Sequence, residues 1–138
     1  MNKESIYILE DRGIVYINGD DTFSYLQNII SNDLGKVTET QSCFSYLLTP
    51  QGKYLFEFII VKHKNGYFLD CPKYQIDDLY KQLTLYKLRS KVEIANLSNE
   101  FVVAALLKDK FSDFEKNIDA GMTIKFREDP VVLETSEA

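Results

Sequence analysis

The chain has 138 residues, the size of one domain with one hydrophobic core, and its 45% apolar and 27% charged residues exclude a disordered, collagen-like or disulfide-stapled miniprotein. A net charge of -5 argues against a non-specific grip on nucleic acid, which is driven by counterion release. Cys43 and Cys71 sit in no paired frame, and no apolar run approaches the ~18 residues of a membrane helix, so a zinc site and a spanning segment are not expected. A soluble, cytoplasmic protein is the expectation.

Two short extended runs, residues 6–9 and 14–17, flank Glu10, Asp11, Arg12 and Gly13, a cluster with turn chemistry that predicts a hairpin. Asp20 or Asp21 then caps a helix whose apolar residues Phe23, Leu26, Ile30 and Leu34 recur at about 3.6-residue spacing, with Gly35 as its stop. Residues 43–69 are rich in β-branched and aromatic side chains, broken at 49–52 and 64–66, and predict three consecutive antiparallel strands. In the middle one, Tyr54, Phe56, Phe58 and Ile60 fill one face while Leu55, Ile59 and Val61 fill most of the other, the pattern of a strand covered on both sides.

Pro72 opens a second helix reaching about residue 89, with Ile76, Leu79, Leu83 and Tyr86 as its apolar stripe and Asp77 placed to pair with Lys81. Strands at 92–94, 101–107 and 122–126 follow, with a short helix at 112–117. The fold class is α+β, a mainly antiparallel sheet with two main helices. One domain over residues 1–127 and a frayed tail over 128–138 is the expected partition.

Few residues invite chemistry. The single histidine, His63, lies between lysines at a hairpin end and is read as a surface turn residue, and no glycine-rich phosphate loop is present. Lys87, Arg89 and Lys91, with Lys108 and Lys110, are the nearest approach to a basic strip and read as a solvated face. Asp11 and Arg12 read as a local turn pair, and Asn32 with Asp33 as a cap or closure of the first helix. Glu57 interrupts an otherwise apolar strand, where a carboxylate needs a partner, water or a ligand. Lys53 and Arg89 are candidates to bind a carboxylate such as a glutamate tail; Arg89 suits it better through its planar fork, though a helix-end cation is its default reading.

Four ordered segments carry a resemblance: residues 9–21 (LEDRGIVYINGDD), 23–33 (FSYLQNIISND), 47–53 (LLTPQGK) with the strand 54–58 after it, and 86–92 (YKLRSKV). In order and spacing the chain resembles the N-terminal part of the YgfZ family, the folate-binding relatives of glycine-cleavage T-protein (aminomethyltransferase). The match is strong over about the first 95 residues and weak as far as residues 126–130. The family's Lys-Gly-Cys-(Phe/Tyr)-x-Gly-Gln-Glu motif is not matched by Cys43 or Cys71, so neither inherits its role.

The resemblance implies α+β lobes around a channel for tetrahydrofolate, with a role in iron–sulfur protein maintenance and related tRNA modification. It implies further that Glu57 stands where T-proteins present an acidic residue to the folate, although aspartate is the more typical residue, and that Cys71 stands where they present an asparagine. Pterin N–H donors suit a carboxylate acceptor, and Tyr46, Tyr54 and Phe56 are either a stacking wall or sheet core. The expected cofactor contacts are thus Glu57, Lys53, Tyr54, Cys71 and Arg89. The leading expectation is a folate-binding accessory module without autonomous catalysis; the alternatives are an aminomethyltransferase completed by a second chain or copy, and an interaction module without folate.

Overall fold

A computed structural model describes residues 6–49, 51, 54–101, 103–106, 123–126 and 129–132. Strands β2 (Arg12–Asn18), β3 (Cys43–Leu48), β4 (Tyr54–His63), β5 (Gly66–Pro72) and β6 (Glu93–Asn96) form one antiparallel sheet in the order β3-β4-β5-β2-β6. Helices α1 (Thr22–Gln27) and α2 (Ile76–Lys87) supply side chains to its main core, which makes the class α+β. Two further antiparallel pairs join β1 (Ile6–Ile8) to β7 (Ala104–Leu106) and β8 (Thr123–Phe126) to β9 (Asp129–Val132).

Strand periodicity builds two cores on the sheet's two faces. Val15, Ile17, Leu47, Phe58, Ile60, Leu69 and Cys71 point to one face and meet Leu26, Leu34, Leu79 and Leu83. Ile14, Ile59, Val61 and Phe68 point to the other and meet Tyr16, Leu97, Phe101 and Val103. Each large side chain so buried contributes about 1.5–3 kcal/mol. Residues 58–61 of β4 are therefore covered on both faces, as their composition predicted, whereas Leu55 and Glu57 are exposed.

Several expectations are corrected. The first two strands do not form a hairpin: β1 pairs with β7, while β2 lies between β5 and β6. Val15 and Ile17 are wholly buried, so β2 gains most from an interior place with a neighbour on each edge. The first helix ends at Gln27, well short of Leu34. The Gln27 amide donates to the Asn32 carbonyl (2.9 Å) and its Oε1 accepts from the Leu34 amide (2.7 Å), closing a loop in place of a helical turn. Ile30 then bridges Leu47, and Leu34 reaches the core from a 3-10 turn, Leu34–Lys36, that contains Gly35. Asp21 occupies the N-cap position without capping; its carboxylate accepts from the Lys91 amide (2.7 Å).

Pro72 ends β5 and does not open the helix; a 3-10 turn, Lys73–Gln75, intervenes before α2. Gly13 lets α2 come down on β2, since a β-carbon there would strike Cγ1 of Ile76. Leu88, at φ 46° and ψ -113°, ends α2 ahead of the expected residue 89. Strands β6, β7 and β8 fall at or near their predicted places, and the helix at 112–117 lies outside the described residues. Residues 129–132, read as tail, are strand β9, which also lies against β4. Among the described residues no helix is long and apolar enough to cross a membrane.

Candidate functional site

Residues opposed across an antiparallel ladder share a face. The registers Tyr46↔Glu57, Phe44↔Ile59, Ile59↔Asp70 and Ile14↔Asp70 set Phe44, Tyr46, Glu57, Asp70 and, two residues along β2 from Ile14, Arg12 on one face. The second core covers the part of this face nearest the β4–β5 turn. The remainder is partly exposed: Phe44 is 48% exposed, Leu55 is 39% exposed beside a bulge in the β3–β4 ladder, and Glu57 is exposed. The rings of Phe44 and Tyr46 meet edge to face, centroids 5.1 Å apart and planes at 89°, a fixed apolar wall next to the carboxylate.

At the inner border of this patch the Arg12 Nε donates to Asp70 Oδ1 (3.0 Å) and Nη2 donates to the Asp70 carbonyl (3.1 Å). Burial pushes the Asp70 carboxyl above its usual range, and the attraction and hydrogen bond of Arg12 pull it back only in part. Arg12 is thus the partner of a residue on β5 and not of Asp11. Its signal in the sequence was Asp70 itself, an acid inside the otherwise apolar strand of residues 66–71.

Glu57 has no hydrogen bond or ion pair among the described residues. Cys71 lies on the opposite face from Glu57: it pairs with Gly13, is wholly buried in the main core, and burial pushes its thiol up to about 12. Phe56 packs against that same core and Tyr46 lies on the open face, which separates two of the three aromatic wall candidates. Arg89 lies beyond the Asn18 end of β2, beside Asp21, whereas Glu57 is near the level of Arg12 at the other end. At about 3.3 Å per residue the two are on the order of 20 Å apart. The placement of Lys53 and the side chain of Tyr54 lie outside the described residues. Of the five expected contacts, then, Glu57 stands on the open face, and Cys71 and Arg89 are not brought to it.

Asn32 and Asp33 have structural roles. Asn32 donates to the Phe44 carbonyl (2.9 Å), and the Asp33 carboxylate accepts from the Gly35 amide (2.8 Å), so this turn braces the β3 edge that carries the aromatic pair. No group of three or more potential metal ligands occurs among the described residues.

The architecture is that of a T-protein-like domain. The glycine cleavage system aminomethyltransferase T from Bartonella henselae superposes with a TM-score of 0.72 at 15% identity, over 86% of this chain and 34% of its own, which shows the fold. In sequence the chain is similar to the aminomethyltransferase of Caldanaerobacter subterraneus subsp. tengcongensis, 27% identical over 128 residues, covering 91% of this chain and 34% of that protein. It is also similar to the iron-sulfur cluster assembly factor IBA57 homolog, mitochondrial, of Mycosarcoma maydis, 29% identical over 105 residues, covering 67% of this chain and 26% of that protein. No family model matches. The chain spans about a quarter to a third of the length of these relatives, which fits the N-terminal portion that the sequence motifs pointed to.

Proposed function

We propose that the chain is a YgfZ-like lobe that binds tetrahydrofolate on the open sheet face and serves as a cytoplasmic accessory module in iron–sulfur protein maintenance or tRNA modification. The observation that carries the reading is Glu57: an exposed carboxylate in an apolar strand, unpaired among the described residues and next to the Phe44–Tyr46 ring pair. These residues fit a pterin, whose adjacent N–H groups need an anionic acceptor and whose ring needs an apolar wall. Glu57 holds the N–H edge, and Tyr46 and Phe44 exclude water from the ring. Bound folate supplies the capacity to carry a one-carbon unit. Similarity to both aminomethyltransferases and an iron–sulfur assembly factor supports the class of function.

Isothermal titration with tetrahydrofolate tests the site. Saturable binding is expected, weakened about tenfold or more in Glu57→Ala, because a charged hydrogen-bond acceptor contributes about 1.5–3 kcal/mol. Binding that Glu57→Ala leaves untouched removes Glu57 from the site. The similarity to enzymes two-thirds of whose length lies outside the match supports a second reading, a transferase completed by another polypeptide. Turnover of an aminomethyl carrier protein by this chain plus such a partner would favour it, and no turnover in any combination would end it.

A further inference from the structure

Helix α2 buries Ile76, Leu79 and Leu83 against the main core and leaves Asp77, Asp78, Lys81 and Leu85 exposed on its other side. Folding does not explain what stands at its two ends. Just before the first turn, Tyr74 leaves 83% of its surface in water, although a tyrosine is ordinarily half-buried or better. At the other end Leu85 and Leu88 are 64% and 85% exposed, and Leu88 is held at φ 46°, a region that crowds its β-carbon. Next to it, Asp21, Leu88, Arg89 and Ser90 line a shallow depression that is wide open to solvent.

The ends complement each other. A protruding ring stands at one, between Lys73 and the acidic pair Asp77 and Asp78; the depression at the other is lined by Arg89 and Asp21, with Lys87 and Lys91 near in sequence. None of Lys87, Arg89 and Lys91 has an ion pair among the described residues. The helix dipole accounts for the order of the charges but not for Tyr74, Leu85 or Leu88. Tyr74 and Leu88 stand about 20 Å apart along the helix, so one copy cannot seat its own ring in its own depression. A second copy laid antiparallel makes that contact, and two-fold symmetry makes it twice.

We propose that α2 is the contact of a two-fold homodimer in which Tyr74 of each copy enters the depression lined by Asp21, Leu88, Arg89 and Ser90 of the other. Arg89 then lies against the incoming ring, a favourable cation–π arrangement, while Leu85 and Leu88 leave water. One helix face offers less than the ~800 Å² per partner of a standard stable interface, so the dimer is concentration-dependent.

Sedimentation equilibrium of the chain from about 5 µM to 1 mM, a range suited to such affinities, is the test. The weight-average mass is expected to rise toward twice that of the monomer. Tyr74→Ala and Arg89→Glu, both at exposed positions, should each raise the dissociation constant about tenfold or more, with circular dichroism and thermal unfolding showing that each variant still folds. A monomer at every concentration overturns the proposal, as does a dimer whose dissociation constant neither substitution moves.

Discussion

Replacing Cys71 by serine separates a core residue from a ligand contact. The side chain is wholly buried among Val15, Leu69, Ile76 and Leu79, and the residue opposite it is Gly13, which offers no side-chain partner. Serine keeps the volume but brings a hydroxyl into apolar surroundings, at a cost of about 1–3 kcal/mol. For a domain of this size each kcal/mol lowers the melting temperature by roughly 3–5 °C, so Cys71→Ser should melt about 3–15 °C below wild type. Cys71→Ala, which leaves a small void and no stranded polar group, should lose less. Thermal unfolding followed by circular dichroism gives the shift, and a tetrahydrofolate titration of the same samples gives the affinity. Lower stability with unchanged affinity is the expected result. Unchanged stability with lost affinity would refute the assignment of Cys71 to the helix-covered face.

Thiol labelling offers a second readout, because burial raises both thiols, Cys71 to about 12, at which only about one in ten thousand is thiolate at pH 8. Half-buried Cys43 should react with iodoacetamide first and Cys71 only as fast as the fold opens; equal rates would contradict the burial. Gly19 sits at φ 129° with the Lys91 carbonyl against the place of a β-carbon, so Gly19→Ala should cost about 1–3 kcal/mol in chemical denaturation, and a neutral result would refute that contact. The Asp70 carboxyl, raised above 3.8 by burial, stabilises the fold relative to its ionised form below that pH, and this contribution fades as pH rises through the raised value. Wild type should therefore lose stability relative to Asp70→Asn between about pH 3 and neutrality; a relative gain would mean that Arg12 outweighs the burial.

The fold was legible where periodicity is local. Alternation from Tyr54 to Val61, the stripe of Ile76, Leu79 and Leu83, and the turn at Lys64 and Asn65 marked β4, α2 and the β4–β5 hairpin. Pairing between distant strands was not legible, because β1 finds β7 far along the chain and nothing in residues 6–9 or 104–106 specifies that partner. The first helix misled because Phe23, Leu26, Ile30 and Leu34 satisfy a helical period, yet Phe23 is 51% exposed, and the hydrogen bonds of Gln27 and the bridge from Ile30 to Leu47 bring Ile30 and Leu34 inward without a helix.

The candidate site divides in the same way. Glu57 was visible as an acid in an apolar strand, whereas its neighbours depend on register. The ladders Tyr46↔Glu57 and Ile59↔Asp70 bring Tyr46, Asp70 and Arg12 to its face, and the same alternation turns Cys71 to the other. Arg89 is kept away by the length of β2, a distance that no motif spacing reveals.

The most direct test of the account is amide chemical-shift mapping of the isotope-labelled chain during titration with tetrahydrofolate. Saturable shifts centred on Phe44, Tyr46, Leu55 and Glu57, with little change around Cys71 and Leu88, are the predicted result. Shifts centred on the Cys71 face or on the Arg89 depression, or none at all in the folded protein, would contradict the claim that the open sheet face binds the pterin.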